Sequence, residues 1–169
     1  MAGAIEAKLA EMGFAVPEAK PPLAKYVPFV RSGNLLFVSG QIPLGPDGSL
    51  ESLIKGQLTG ADHLAPGAAP APGSPMALAC EAAERCAVNL LAQVKAAAGD
   101  LDRVARVVKL TGFVNCDGTF QQQHLVLNAA SNLLGGAFGD KGAHSRSAVG
   151  SSSLPMGVIV EIEGIFEIG

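Results

Sequence analysis

The sequence predicts an α+β domain in which a few helices cover one face of a mixed β-sheet. Strand-like and helix-like apolar periodicities follow one another in the order two strands, helix, strand, helix, two strands. The longest helical run carries mostly small apolar residues, which allow a helix to lie close to a sheet. At 169 residues the chain can bury roughly 70% of its unfolded surface in one core. We divide it into an N-terminal helix and proline-rich connector at 1–25 and one domain at 26–169.

The first half of the chain predicts a short helix, a hairpin and a long irregular segment. Residues 4–12 place apolar side chains on one helical face, Gly13 supplies a stop, and prolines then favour an extended connector. The apolar runs 26–31 and 35–39 are separated by a Ser-Gly-Asn turn, which predicts a hairpin. Residues 55–74 lose this periodicity and fill with Gly, Ala and Pro, so we expect a long, mobile surface loop there.

The second half begins with a long helix. A serine–proline start at 74–75 opens an apolar stripe at three- and four-residue steps, which continues until Gly99. The β-branched run at 104–116 predicts a strand. Turn residues then lead into a second helix at 120–134, which we expect the Gly-Gly pair at 135–136 to end.

Two short strands separated by a Ser/Pro/Gly turn close the chain. The first carries Arg146 and the second carries Glu161. Antiparallel neighbours joined by a short loop hold facing residues within a few side-chain lengths, so we expect Arg146 and Glu161 to lie close together. A guanidinium can bind a substrate carboxylate through two parallel hydrogen bonds, and a carboxylate beside it can hold and activate a water.

Composition and charge disfavour several classes of protein. The chain has a net charge of −3, no tryptophan and one tyrosine, whereas a nucleic-acid surface needs basic stripes and stacking aromatics. No run is long and apolar enough to span a bilayer, and three cysteines without metal-ligand spacing suit a reducing compartment. We therefore predict a cytoplasmic protein with no nucleic-acid, membrane or metal partner. A hydrophobic fraction of 49% against 16% charged residues indicates burial between subunits.

Two separated blocks of sequence resemble the RidA (reactive intermediate deaminase) family. One block is Arg146-Ser147-Ala148-Val149, followed at fixed offsets by Leu154-Pro155 and Val160-Glu161-Ile162-Glu163. The other runs from Gly33 to Pro43, with Tyr26 seven residues before it. The resemblance covers residues 26–168 and implies a chorismate-mutase-like sheet backed by two helices, in a homotrimer with clefts between subunits. It also implies hydrolytic deamination of 2-imino or enamine acids to 2-keto acids and ammonia, without a cofactor.

The same resemblance implies roles for individual residues. Arg146 corresponds to the arginine that binds the substrate carboxylate, and Glu161 corresponds to the glutamate that positions the attacking water. The predicted substrate-binding residues are Tyr26, Ser39, Gly40, Phe120 and Ala148. Many members carry a cysteine where this chain has Ala148, which leaves two alternatives open. If that cysteine only shapes the pocket, catalysis survives with a changed substrate preference, and if its sulfur is needed, this chain lacks the deaminase activity.

Three further functions are compatible with the sequence. A non-catalytic module could use Arg146 to bind a small carboxylate metabolite. An endoribonuclease or translation inhibitor is a description often attached to similar sequences, although the acidic balance and few aromatics disfavour it. A trimeric scaffold or holdase could use apolar surface alone.

Overall fold

The computed structural model describes residues 3–22, 24–49 and 54–169, and this part of the chain forms three α-helices and one five-stranded mixed sheet. The elements are α1 (Ala4–Glu11), β1 (Phe29–Ser32), β2 (Leu35–Gln41), α2 (Pro75–Ala98), β3 (Val104–Asn115), α3 (Gln123–Phe138), β4 (Ser145–Ser151) and β5 (Val160–Ile168). The predicted α+β class is confirmed. None of the helices in the described ranges is long and apolar enough to cross a membrane.

The strands lie in the order β1-β2-β5-β3-β4. β3 and β4 are parallel, and the other neighbouring pairs are antiparallel. The chain leaves β3, forms α3 and returns as β4, which is the helical crossover that a parallel pair requires. It then passes back across the sheet to place β5 between β2 and β3. The expectation that the last two strands are antiparallel neighbours is therefore wrong, because β3 separates them.

The helices cover one face of the sheet, and the core lies between the two layers. α2 packs on β5 and β2, and α3 packs on β3 and β4. Leu110 of β3 and Ile162 and Phe166 of β5 are fully buried on this face. At Gly112 of β3 a Cβ would overlap the side chain of Leu127 from α3. The missing side chain therefore lets α3 lie directly against the strand.

The opposite face of the sheet carries large apolar side chains that the described residues leave open. Val30 of β1, Phe37 of β2 and Val149 of β4 are 53%, 41% and 43% exposed. Residues that pair across strands point to the same side, and Phe37 pairs with both Val30 and Ile165. Polar residues such as Thr111 and Glu163 lie on the same face, and a mixed surface that exposes several large apolar side chains is typical of one that another subunit covers.

The second long helix starts and ends later than the sequence predicts. Residues 117–122 form a turn instead, in which the carboxylate of Asp117 accepts a hydrogen bond from the N–H of Thr119 at 2.8 Å. The helix then continues through the Gly-Gly pair at 135–136. A Cβ on Gly136 would lie 2.7 Å from the Cε of Met12, the flexible tip of a side chain at the end of α1. Gly136 is therefore an interior position of the helix that packs against α1, and not the stop signal that it looked like.

The long segment before α2 is irregular, as predicted, but it is anchored at several points. Leu58 is fully buried, and its N–H and C=O groups pair with the main chain of Asn115 and Asp117 at 2.9 Å each. His63 accepts a hydrogen bond from the N–H of Gln121 at 2.8 Å. The surface-loop prediction therefore fails at Leu58 and fits only the exposed Gly/Ala/Pro-rich stretch after it.

The start of the N-terminal helix is capped by a carboxylate from a distant turn. The N–H groups of Ala4 and Ile5 each donate to Asp102 at 2.8 Å, which satisfies two of the N–H groups that a helix start leaves unpaired. No side chain of α1 itself caps this end. Asp102 therefore replaces a local N-cap and ties the start of α1 to the turn before β3, while Glu6 pairs with Lys95 of α2 at 2.7 Å.

Candidate functional site

β4 presents Arg146 and Ala148 on the side of the sheet that the helices cover. Arg146 pairs with Leu110 of β3, and Ala148 pairs with Gly112. Both partners face the helical layer, and residues paired across neighbouring strands point to the same side. The side chain of Arg146 therefore lies at the sheet edge beneath α3.

Four hydrogen bonds fix the guanidinium of Arg146 against α3. Nη1 donates to Asn128 Oδ1 at 3.1 Å and to Ser131 Oγ at 2.9 Å, and Nη2 donates to Asn128 Oδ1 and to the carbonyl of His124, both at 3.1 Å. All of these acceptors are neutral, and no carboxylate of the described residues forms a salt bridge with Arg146. The guanidinium is therefore oriented while its charge stays unneutralised, which favours an anionic ligand.

The three residues that hold Arg146 lie on one face of α3. His124, Asn128 and Ser131 are spaced by four and three residues, which places them one above the other on a helix. Asn128 and Ser131 are site residues that the sequence motifs do not predict. A polar stripe at helical spacing in a largely apolar helix is the sequence feature that could have indicated them.

Phe120 precedes the helix that holds Arg146, and Ala148 lies two residues further along the same face of β4. Phe120 lies just before α3, is only 2% exposed and packs against the imidazole of His63 with ring centroids 5.3 Å apart. Ala148 is half-buried and packs against the core. We call Phe120, Arg146 and Ala148 the arginine cluster.

Glu161 of β5 lies on the open face of the sheet, opposite Phe113 of β3. Its carboxylate lies directly against Gly40 of β2, where a Cβ would overlap Oε1. Burial raises the pKa of Glu161, and the nearby negative charge of Glu163 raises it further. A carboxyl group of raised pKa can take up and return a proton closer to neutral pH than an ordinary glutamate can.

Tyr26 and Ser39 lie beside this glutamate. The hydroxyl of Ser39 donates to the carbonyl of Val27 at 2.8 Å, which ties the segment of Tyr26 to β2. Tyr26 is 47% exposed and lines, together with Gly40, a cleft of about 40 Å³. We call Tyr26, Ser39, Gly40 and Glu161 the glutamate cluster.

The two clusters lie on opposite faces of the sheet. Arg146 faces the helices from the edge strand, whereas Glu161 faces the open side from the middle of the sheet. β3 lies between their strands. The expectation that Arg146 and Glu161 lie close together within one chain is therefore wrong, since it relied on a strand pairing that does not form.

Comparisons with known proteins give one family. The family described as "YjgF/chorismate_mutase-like, putative endoribonuclease" matches residues 6–165. Protein TCP17 of Trypanosoma cruzi is 40% identical over 167 residues, which cover 98% of this chain and 95% of that protein. The crystal structure of Atu1372 from Agrobacterium tumefaciens, of unknown function, is 46% identical with a TM-score of 0.82 and covers 98% of this chain and 93% of its own. The yjgF gene product of Escherichia coli is 25% identical with a TM-score of 0.58, over 90% and 96% of the two chains.

These comparisons also bear on the N-terminal helix. The resemblance seen in the sequence began at residue 26, but the family match begins at residue 6 and the Atu1372 structure covers 98% of the chain. The helix α1 is therefore part of the shared architecture rather than an addition to it. Agreement in shape is greater with Atu1372 than with the Escherichia coli protein, as the two TM-scores of 0.82 and 0.58 record.

Proposed function

The chain belongs to the YjgF/chorismate-mutase-like family and has the RidA-type fold, and from this premise we propose that it is a hydrolytic deaminase of 2-imino or enamine acids. The observation that carries the proposal is the guanidinium of Arg146, which three neutral acceptors orient through four hydrogen bonds and which no carboxylate of the described residues neutralises. These bonds use the four Nη–H groups, so a substrate carboxylate binds by exchanging some of them, such as the two to Asn128 Oδ1, while the oriented positive charge attracts it.

We propose that the reaction uses two copies of the chain. Arg146 and Glu161 face opposite sides of one sheet, so a small substrate reaches both only where the arginine cluster of one copy meets the glutamate cluster of another. The open apolar face around Phe37 supports such an assembly, and a homotrimer with three equivalent clefts is the arrangement we propose.

In the proposed mechanism Arg146 binds the carboxylate of the imino acid and holds the C=N carbon in place. Glu161 accepts a proton from a bound water as the oxygen attacks that carbon, which gives a tetrahedral carbinolamine. Glu161 returns this proton to the nitrogen, which completes the carbinolamine, and then carries the hydroxyl proton to the same nitrogen as the C–N bond breaks, so that ammonia and a 2-keto acid leave. Substrate and water thus supply every atom of the products, and the raised pKa of Glu161 suits a group that must accept and donate in one cycle.

A coupled assay tests the activity directly. An amino-acid oxidase generates 2-iminopropanoate in the presence of semicarbazide, and the protein competes for the imine before it is trapped. We expect the wild type to suppress semicarbazone formation and Arg146→Ala and Glu161→Gln to lose this effect. Glu163→Gln, on the same face of the same strand, is the matched control and should keep most of it. Wild-type protein that leaves trapping unchanged over a panel of amino acids would refute the proposal.

A mixing experiment tests the two-copy site. Arg146→Ala and Glu161→Gln chains are unfolded together and refolded at equal concentrations. If the two residues come from different copies, a mixed assembly contains clefts with both groups intact, and random assembly restores about one quarter of wild-type activity. If both residues acted from one chain, every cleft would lack one of them and no activity would return.

A metabolite-binding module is the second candidate, because α3 alone orients Arg146 and Glu161 lies on the opposite face of the sheet. Binding of pyruvate that is abolished in Arg146→Ala but unchanged in Glu161→Gln, without any imine turnover, would select this function. RNA cleavage that survives stringent purification and the Arg146→Ala substitution would instead favour the endoribonuclease named in the family description.

A further inference from the structure

A series of hydrogen bonds runs from Arg146 through Ser131 to His144. Ser131 Oγ accepts from Arg146 Nη1 at 2.9 Å and lies 3.0 Å from Nε2 of His144. The other ring nitrogen, Nδ1, lies 2.6 Å from the carbonyl oxygen of Gly142. Both His144 and Ser131 are half-buried, so the three links lie between α3 and the start of β4.

The donors and acceptors at the two ends of this hydrogen-bond series fix which group donates at each link. A carbonyl oxygen only accepts, so the short contact to Gly142 requires the proton on Nδ1 of His144. In a neutral imidazole Nε2 is then an acceptor, and the hydroxyl of Ser131 must donate to it. Because the hydroxyl of Ser131 donates its hydrogen to His144, its oxygen accepts the hydrogen bond from Arg146 Nη1.

Without His144 the hydroxyl of Ser131 would have another partner. A serine inside a helix readily donates to the carbonyl three or four residues earlier in its own helix. In the side-chain rotamer that makes this bond, the lone pairs of Ser131 Oγ would no longer point at Arg146 Nη1. The position of the His144 acceptor therefore selects the serine rotamer that serves the arginine.

We propose that His144, held as the Nδ1–H tautomer, is a positioning residue that sets the orientation of Arg146 through Ser131. The fixed guanidinium favours the binding of a small carboxylate, a ligand class that rests on the function proposed above. A guanidinium held in one orientation loses less conformational freedom when a carboxylate binds than a mobile one does, so the benefit is expected in substrate affinity rather than in the chemical step.

Nitrogen NMR of the free protein tests the positioning without any ligand. We expect the long-range imidazole spectrum to show His144 protonated at Nδ1 and unprotonated at Nε2. We also expect Arg146 to give separate, slowly rotating Nη signals in the wild type. These signals should merge in both His144→Phe and Ser131→Ala, and they should persist in Ser131→Thr, which keeps the hydroxyl. The opposite tautomer, or Nη signals that remain separate in both variants, would overturn the proposal.

Calorimetric titration with pyruvate provides the functional readout. We expect Ser131→Ala and His144→Phe to weaken pyruvate binding about tenfold and Ser131→Thr to stay close to wild type, since one hydrogen bond to a charged group is lost or kept. Ser147→Ala, the adjacent serine position on the opposite side of β4, is the matched control and should bind normally. Where the deaminase assay is positive, KM should rise with kcat nearly unchanged. Wild-type protein that neither binds pyruvate nor suppresses semicarbazone formation, but shows the expected NMR signals, would refute the proposed function and leave the positioning role standing.

Discussion

Replacing Arg146 with lysine keeps the positive charge but removes the planar fork, and it is therefore the most informative single substitution. In the structure the two Nη groups make four hydrogen bonds to three residues of α3, at 2.9 to 3.1 Å. A lysine offers one nitrogen with three donors and no planar fork, so it can neither hold the three α3 residues as the guanidinium does nor exchange some of those bonds for two parallel contacts with a carboxylate.

The size of the effect follows from the lost contacts. A bidentate, charge-assisted contact to a substrate carboxylate contributes about 1.5 to 3 kcal/mol. At 1.4 kcal/mol for each factor of ten, Arg146→Lys should lower kcat/KM for the imino acid roughly 10- to 150-fold. The fold should survive, because Arg146 lies at the sheet edge and its acceptors on α3 can bond to water instead.

The oxidase-coupled semicarbazide assay measures this loss, and circular dichroism reports the fold. Arg106→Lys on β3 is the matched control, because Arg106 is exposed and belongs to neither cluster. We expect that control to retain wild-type kinetics. An Arg146→Lys protein whose kcat/KM stays within about threefold of wild type would refute the role of the fork, since a loss that small is under 1 kcal/mol.

Three further substitutions test the remaining features of the structure. Glu161→Gln should raise the free energy of unfolding at neutral pH, because burial and the charge of Glu163 raise the pKa of Glu161, so folding disfavours its charged form. The wild type loses stability for this reason as pH rises from the ordinary pKa of 4.5 through the raised pKa. Urea denaturation should therefore show a gain for the variant at neutral pH and no gain below pH 4.5. Gly40→Ala should displace the carboxylate of Glu161 and cost about 1 to 3 kcal/mol of stability, seen as a lower Tm together with lost turnover; an unchanged Tm would mean that the contact is not close. Asp102→Ala should destabilise the protein by about 1 kcal/mol through the two N–H groups at the start of α1, and faster hydrogen exchange confined to α1 would confirm the cause.

Local pattern was sufficient to predict most elements of this fold. The apolar periodicity of α2, its serine N-cap and its glycine end appear in the structure as predicted. The strands β2 and β3 lie within two residues of their expected ends. These features depend on interactions within a few residues, which a sequence displays directly.

Strand order and the ends of α3 could not be predicted in the same way. Gly136 is unfavourable in a helix by propensity, yet α3 continues through it and packs there against Met12 of a distant segment. Proximity along the chain suggested that β4 and β5 pair, whereas the strand–helix–strand order of β3, α3 and β4 is the pattern of a parallel crossover and indicated the correct partner. Since the predicted closeness of Arg146 and Glu161 rested on that pairing, the motif gave the residues of the candidate site but not their spatial relation.

The parallel β3–α3–β4 unit contains Arg146 and every group that orients it, while Glu161 belongs to a strand that joins the sheet afterwards. Under the proposed function, carboxylate binding and water activation thus rest on separable parts of the fold. A lineage that replaced Glu161 would keep the whole unit that orients Arg146 and lose the proposed water-activating group. A lineage that altered α3 could change its ligand while leaving the water-activating strand untouched. The division of one small fold into these two parts gives a physical reason why relatives of the same shape need not share a reaction.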